Sequence, residues 1–371
     1  MRAQPRLLHD FTVQLKGMVS TVRITQVRGL ALVAVGLLCA ERVALVAVAQ
    51  ALPLTCHLSS TERRLRRWLA SPRNDVETLW PPLLRALVSR WANGEVVLVF
   101  DPTPYRKDAT MLVLSLVTNG RALPVSWRIM PQQESWPQAM GTSLRAMVAE
   151  VQAALAPACT VTMLADRGLM GPMIIDVCQE VGWHVVSRLR AVRTESTLVR
   201  RPGCPDVRLG RLVTRPGQRL RIPAAIYKGA GWRTGWLTIH WARTESEPLV
   251  LFSDRPGGPD RVREYRQRMH AEALYQDWKR RGFDLEHSHI TKLDRLARLV
   301  LALALATWWL FGLGCRVIRS GIRRCFDRSD RRDRSLIQLG RAYLARCFLT
   351  EETPALPFRK TPIGEVFRWQ L

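Results

Sequence analysis

Residues 95–103 read EVVLVFDPT: five apolar side chains in an unbroken run, closed by the carboxylate of Asp101 and the bend-former Pro102. A β-rich apolar run of this length, bounded by turn residues, reads as a strand buried on both faces of a sheet. The pattern recurs at CTVTMLADRG (159–168), a second buried run that again ends in a carboxylate, Asp166. Between them, ATMLVLSLVTNG (109–120) and RALPVSWRIM (121–130) read as two further strands, with Asn119-Gly120 as a two-residue hairpin turn. Residues 137–156 carry a helical period, GPMIIDVCQEVG (171–182) a helix closed by Gly182, and WHVVSRLR (183–190) a fifth strand. Three strands followed by helix–strand alternation predict an α/β fold with a mixed sheet flanked by helices.

Working outward, residues 10–70 read as helices. Ser59-Ser60-Thr61-Glu62 is the expected N-cap of a basic helix, TERRLRRWLA, which carries Arg63, Arg64, Arg66 and Arg67. A short basic helix after a helical pair suits docking on DNA. Residues 190–250 break the alternation with Gly, Pro, Arg and the short β-like runs RLRIPAAIY, GWLTIHWA and PLVLFSD. Helix returns at 260–281 and again at 294–314. The expected division is a helical DNA-binding region at 1–94, a first part of the core at 95–189, a β-rich insertion at 190–254, a second part of the core at 255–315 and a basic helical tail at 316–371. Pro354, Pro357 and Pro362 mark the last residues as loose.

Composition bounds the function. The 371 residues hold 56 Lys and Arg against 31 Asp and Glu, a net charge of +25. Such a surplus points to a polyanionic partner, of which nucleic acid is the commonest. The excess is uneven: segments 1–95, 188–248 and 280–371 carry +7, +9 and +9, whereas 96–187 carries −1 and 249–279 only +1. A near-neutral centre framed by basic segments suits an enzyme whose core is gripped to DNA from its periphery. The eight cysteines are scattered without a CxxC pair, which excludes a zinc ribbon and points to a reducing compartment. The N-terminus lacks a signal-peptide layout. The apolar run 299–314 is shorter than the roughly 20 residues a membrane span needs, and it is read as a core helix with no membrane partner.

The chemistry concentrates in residues 265–279, YRQRMHAEALYQDWK. On a regular helix Tyr265, Arg268, Glu272 and Lys279 fall within a sector of about 60°. One face thus offers a carboxylate for a hard divalent cation, and two cations and a phenol for phosphate oxygens. If the strands ending in Asp101 and Asp166 are neighbours, those two carboxylates converge, and Glu272 completes a cluster able to hold two Mg²⁺ ions. Asp254, in LFSDRPG, is a further strand-end carboxylate; Glu272 is preferred to it as a ligand.

The helix meets all four positions of the Y-(2)-R-(3)-E-(6)-K signature and so resembles insertion-sequence transposases of the DDE type. Asp101 in DPTPY and Asp166 in ADRG resemble the first and second aspartate motifs of that family, although Leu169 stands where an aromatic is common. The resemblance is strong over about 95–315 and implies a ribonuclease-H-like core with a β-rich insertion before the last catalytic residue. It implies a DNA transposase that cleaves and joins transposon ends by cut-and-paste transposition, with a non-catalytic DNA-binding relative as the alternative. It further implies Asp101, Asp166 and Glu272 as catalytic metal ligands for two Mg²⁺ ions, with Mn²⁺ able to substitute. Tyr265, Arg268 and Lys279 would contact the phosphate backbone, and Arg167 would have a structural or phosphate-binding role. One of Trp232, Trp236 and Trp241 would stack on a flipped base. The partner implied is double-stranded DNA, the assembly a dimer in the synaptic complex, and the location the nucleoid of a bacterial cytoplasm.

Overall fold

The computed structural model describes residues 3–89, 94–132, 136–169, 171–190, 197–279, 282–330 and 332–356. The proline-marked tail beyond 356 and the end of the 260–281 helix lie outside the described residues. Five helices come first: α1 (Ala3–Met18), α2 (Ile24–Ala40), α3 (Leu45–Ala51), α4 (Leu58–Ala70) and α5 (Val76–Val88). Then follow β1 (Gly94–Tyr105), β2 (Ala109–Thr118), β3 (Arg121–Pro131), α6 (Trp136–Ala154), β4 (Cys159–Ala165), α7 (Pro172–Glu180) and β5 (His184–Leu189). The next stretch holds β6 (Leu198–Arg201), β7 (Cys204–Arg208), α8 (Leu209–Leu212), β8 (Arg219–Ile226), β9 (Arg233–His240) and β10 (Leu249–Ser253). The last helices are α9 (Pro259–Arg266), α10 (Met269–Trp278), α11 (Leu293–Arg319) and α12 (Leu336–Leu349).

Among the described residues the ten strands join in one sheet of order β3-β2-β1-β4-β5-β10-β9-β8-β6-β7. Its first half has the strand arrangement that the resemblance implies: β1, β2 and β3 form an antiparallel meander, β4 pairs parallel to β1, and β5 parallel to β4. Asn119 and Gly120 turn the chain from β2 to β3 with φ of 48° and 70°, the double positive φ that a two-residue hairpin of this twist requires. The residues after β5 do not fold away from the sheet. They return through β10, which pairs antiparallel with β5, and extend the sheet as β9, β8, β6 and β7.

One apolar core runs from α1 through the sheet to α11. The 299–314 run lies inside α11, a helix long and apolar enough to cross a membrane, yet 89% of its apolar window is buried within the protein, as the sequence led us to expect. Its N-terminal Arg298 is buried and fully engaged: Nε donates to Asn74 O at 3.0 Å, and Nη1 to Leu69 O and Asp294 Oδ2, both at 2.8 Å. The guanidinium thus covers the Leu69 carbonyl that the end of α4 leaves open and the Asn74 carbonyl just before α5. At the other end α12 crosses α11 at backbone contact, because a Cβ on Gly314 would stand 2.0 Å from Leu336 O and one on Gly340 2.0 Å from Leu310 O.

Three local expectations need correction. The basic helix does not start at Ser59-Ser60-Thr61-Glu62; α4 starts at Leu58 after His57, and Thr61 is buried within it. Strand β1 does not stop at Asp101 but runs to Tyr105, with Asp101 opposite Val113 and Pro102 opposite Leu112 on β2. The helix at 260–281 is two helices, broken at Gln267-Arg268. Across the break the N–H groups of Gln267, Arg268, His270 and Ala271 donate to carbonyls three residues back, at 2.9–3.1 Å. Such bonds wind the chain at about three residues per turn instead of 3.6.

Candidate active site

The parallel pairing of β1 with β4 runs from Gly94 opposite Cys159 to Phe100 opposite Ala165. Asp101 and Asp166 occupy the next position on each strand, so the sheet itself sets them side by side at its carboxyl end, roughly one strand spacing of 4.8 Å apart. Below that position β1 is apolar and fully buried at Leu98, Val99 and Phe100, and β4 at Met163, Leu164 and Ala165. The two acids therefore sit on a rigid floor at the edge of the core.

Helix α10 packs on β1, β2 and β3 and brings the third acid. The tightened turn at 267–268 stacks residues three apart, which turns Tyr265 and Arg268 toward the same spot. Tyr265, in the last turn of α9, donates its hydroxyl to Asp166 Oδ1 at 2.8 Å. Arg268 lies among all three carboxylates: Nη2 donates to Glu272 Oε1 at 2.8 Å, Nη1 is 3.7 Å from Asp101 Oδ2, and Nε is 3.9 Å from Asp166 Oδ1. That Nε is buried without a hydrogen-bond acceptor among the described residues. Tyr275, one turn beyond Glu272 on α10, donates to the backbone carbonyl of Asp101 at 2.7 Å and so clamps α10 to β1.

The electrostatics follow from this packing. Burial pushes the Asp101 carboxyl up; Arg268 pulls it down, Asp166 and Glu272 push it up again, and the result is about 6. Asp166 goes the other way. Its burial is outweighed by the Tyr265 hydroxyl, the Arg167 N–H and the Arg268 charge, which hold it below the usual carboxylate range. Two neighbouring acids are thus split, one raised to about 6 and one lowered.

The donor set is three carboxylates, the hard oxygen ligands that Mg²⁺ and Mn²⁺ prefer, and its centre already accommodates a cation in the form of a guanidinium. The chemistry therefore fits a divalent ion. Among the described residues no group of three His, Cys, Asp or Glu stands close enough to hold one as the side chains lie, so Arg268 must move aside for ligation.

Tyr265 and Arg268 thus point inward to the carboxylates in this structure. Lys279, at the end of α10, has left the helical path with ψ of −101°; its Nζ donates to Thr103 Oγ1 at 2.9 Å and Pro104 O at 2.6 Å, tying it to the far end of β1. Arg63, Arg64, Arg66 and Arg67 are exposed on α4, among the N-terminal helices, where Arg66 pairs with Glu62 at 2.6 Å. Asp254 is engaged elsewhere: it accepts from Val185 N–H at 2.9 Å and lies 2.6 Å from His184 Nδ1. Arg167 reaches Glu247 at 2.6 Å, and Arg188 reaches the same carboxylate at 3.5 Å. Glu247 and Arg188 line a cleft of about 310 Å³ together with Tyr265 and Arg268. Arg188 is a residue that sequence reasoning missed. Only the pairing of β4 with β5 brings it near Asp166, and its own stretch carries no motif. Trp241 leads the loop that walls this cleft, whereas the Trp232 ring lies 4.2 Å beneath the Arg200 guanidinium and Trp236 is half-buried on β9.

A mixed sheet of order 3-2-1-4-5 thus carries two acids at the ends of its neighbouring parallel strands and a third on a following helix. The sequence model of the family described as Transposase DDE domain matches residues 107–309, more than half of the chain, and the chain belongs to that family. No curated protein matches. Among solved structures the chain is similar to a piggyBac transposase, determined by cryo-EM in a synaptic complex with hairpin DNA. The identity is 11% and the TM-score 0.43, over 97% of this chain and 82% of that one.

Proposed function

We propose that the chain is a catalytically competent DNA transposase in which Asp101, Asp166 and Glu272 hold two divalent ions, Mg²⁺ or Mn²⁺, for cleavage of the element's ends and strand transfer by cut-and-paste. The observation that carries this reading is the gathering of three acids from β1, β4 and α10 around one buried guanidinium at the carboxyl end of the sheet. The bound ions supply the Lewis acidity that activates the attacking water or 3′-hydroxyl and stabilises the leaving oxygen.

The chain's own residues do the rest. Tyr265 fixes the Asp166 carboxylate through its hydroxyl, and Tyr275 holds β1 and α10 together at Asp101. Arg268 neutralises the acids in the resting protein and turns to a phosphate when DNA arrives, which leaves the carboxylates to the metal. Lys279 and Arg63, Arg64, Arg66 and Arg67 contact the phosphate backbone. Trp241, on the loop beside the cleft, is the best placed of the three tryptophans to stack on a flipped base. Synapsis of two ends makes the working assembly a dimer on double-stranded DNA, and the location is the bacterial nucleoid. The expected segments serve this division: 1–94 and 316–371 as peripheral DNA-binding elements, 95–189 and 255–315 as catalytic core, 190–254 as insertion.

A second reading, a non-catalytic DNA-binding relative, draws on one observation, that Arg268 already sits among the acids, bonded to Glu272 and within 4 Å of Asp101 and Asp166. Incubating the purified chain with Mg²⁺ and duplex DNA bearing the inverted repeats that flank its reading frame separates the two. Competence predicts nicking and joining that Asp101→Asn, Asp166→Asn and Glu272→Gln each abolish while end binding persists. Binding without any cleavage by the wild type favours the second reading, and cleavage that survives Asp101→Asn overturns the site.

A further inference from the structure

Strands β8 and β9 pair so that Arg219 stands opposite His240 and Arg221 opposite Thr238. Residues two apart on a strand share a face, so all four lie on one side of the sheet. The start of α9 rests on that side: Gly258 N–H donates to Thr238 Oγ1 at 3.0 Å. Arg263 and Arg266, three residues apart on α9, form the facing wall of a groove of about 420 Å³. Its four arginines are all exposed. Asp260 pairs with Arg263 at 3.3 Å; among the described residues no ion pair reaches Arg219, Arg221 or Arg266. His240 lies between the walls: burial, Arg219 and Arg266 together hold its imidazole below the ordinary histidine value.

Like charges gathered in a concave surface repel one another and focus a positive field outward, an arrangement that an anion relieves. The groove shares His240 and Arg266 with the cleft that holds Tyr265 and Arg268, so the two lie side by side. The spread of guanidinium groups over two elements suits a chain of phosphates better than a single compact anion.

We infer that this groove, with Arg219 and Arg221 on one wall and Arg263 and Arg266 on the other, is the track that carries the phosphate backbone of the DNA strand leading out of the active site. The inference rests on the proposed DNA-processing function and assigns the β8–β9 face a task apart from chemistry. Backbone contacts of this kind are independent of sequence, and each releases counterions on binding.

The test is fluorescence anisotropy of the full chain with a labelled duplex of about 40 base pairs, in EDTA, over a salt series centred on about 100 mM. Arg219→Ala/Arg221→Ala is expected to weaken binding about tenfold or more and to lower the salt slope by about 2, and Arg266→Ala to lower it by about 1. Arg219→Lys/Arg221→Lys keeps the charges and should keep the slope. Unchanged melting temperature, and unchanged thermal stabilisation by Mg²⁺, show that the variants are folded with an intact carboxylate site. An alanine pair that binds with wild-type affinity and slope overturns the track while leaving the transposase reading standing. A wild type that does not bind the duplex at all overturns both.

Discussion

Replacing Asp101 by Asn should disable the site and stabilise the metal-free protein. The carboxyl is raised from its ordinary 3.8 to about 6, chiefly because burial outweighs the attraction of Arg268. At about 1.4 kcal/mol per unit, the ceiling on the cost of keeping it ionised is about 3 kcal/mol. The side chain is 17% exposed, and solvent relaxation reduces the realised gain to about 1–2 kcal/mol. The carboxyl binds its proton more tightly folded than unfolded. Its contribution to stability is therefore fully present below about pH 4 and is lost as pH rises through about 6. In EDTA at about pH 8 Asp101→Asn should melt about 1–3 °C above the wild type, and the gap should narrow near pH 5. Adding Mg²⁺ should reverse the order, because only the wild type gains a ligand. Differential scanning fluorimetry reads all three. A variant less stable than the wild type in EDTA at the higher pH, or one stabilised equally by Mg²⁺, refutes the reasoning.

Other perturbations follow from the same structure. Because the folded-state value of Asp101 is about 6, Mn²⁺ affinity measured by calorimetry should fall about tenfold from pH 7 to pH 5; pH-independent binding would count against this acid as a ligand. Arg268→Gln removes the counterion of three acids, and in urea unfolding without metal at pH 8 it should cost about 3 kcal/mol, part of which Mg²⁺ restores. Arg298→Ala strips the cover from Leu69 O and Asn74 O, and should destabilise by about 2–4 kcal/mol with no change in the Mg²⁺ response.

Much of this site was legible in the chain before folding. An apolar run closed by an acid, repeated once, is a local signal, and strand pairing converts it directly into two neighbouring carboxylates. The Asn119-Gly120 hairpin was equally plain, since few dipeptides take positive φ twice at low cost. The helical wheel put Tyr265, Arg268 and Glu272 on one face; the structure brings them together by another geometry. The wheel assumed an unbroken helix, whereas bonds to carbonyls three residues back at 267–268 bring Tyr265 and Arg268 into line. The wheel also placed Lys279 with them, but the lysine lies past the helix end, where Thr103 and Pro104 draw it to β1. The inward turn of Arg268 was illegible for a different reason. A side chain's choice between solvent phosphate and buried carboxylates is set by neighbours from β1 and β4, far away in the sequence. The continuation of the sheet through β10 into β9 and β8 likewise depends on which edge of β5 stays open, and no local pattern records that.

Anomalous diffraction from crystals grown with Mn²⁺ and a DNA end examines the triad most directly. Peaks bonded by Asp101 and Asp166, with Glu272 on one of them at about 2.0–2.3 Å and Arg268 displaced toward a phosphate, are the predicted result. Manganese bound elsewhere, with Arg268 still seated among the three acids, would contradict it.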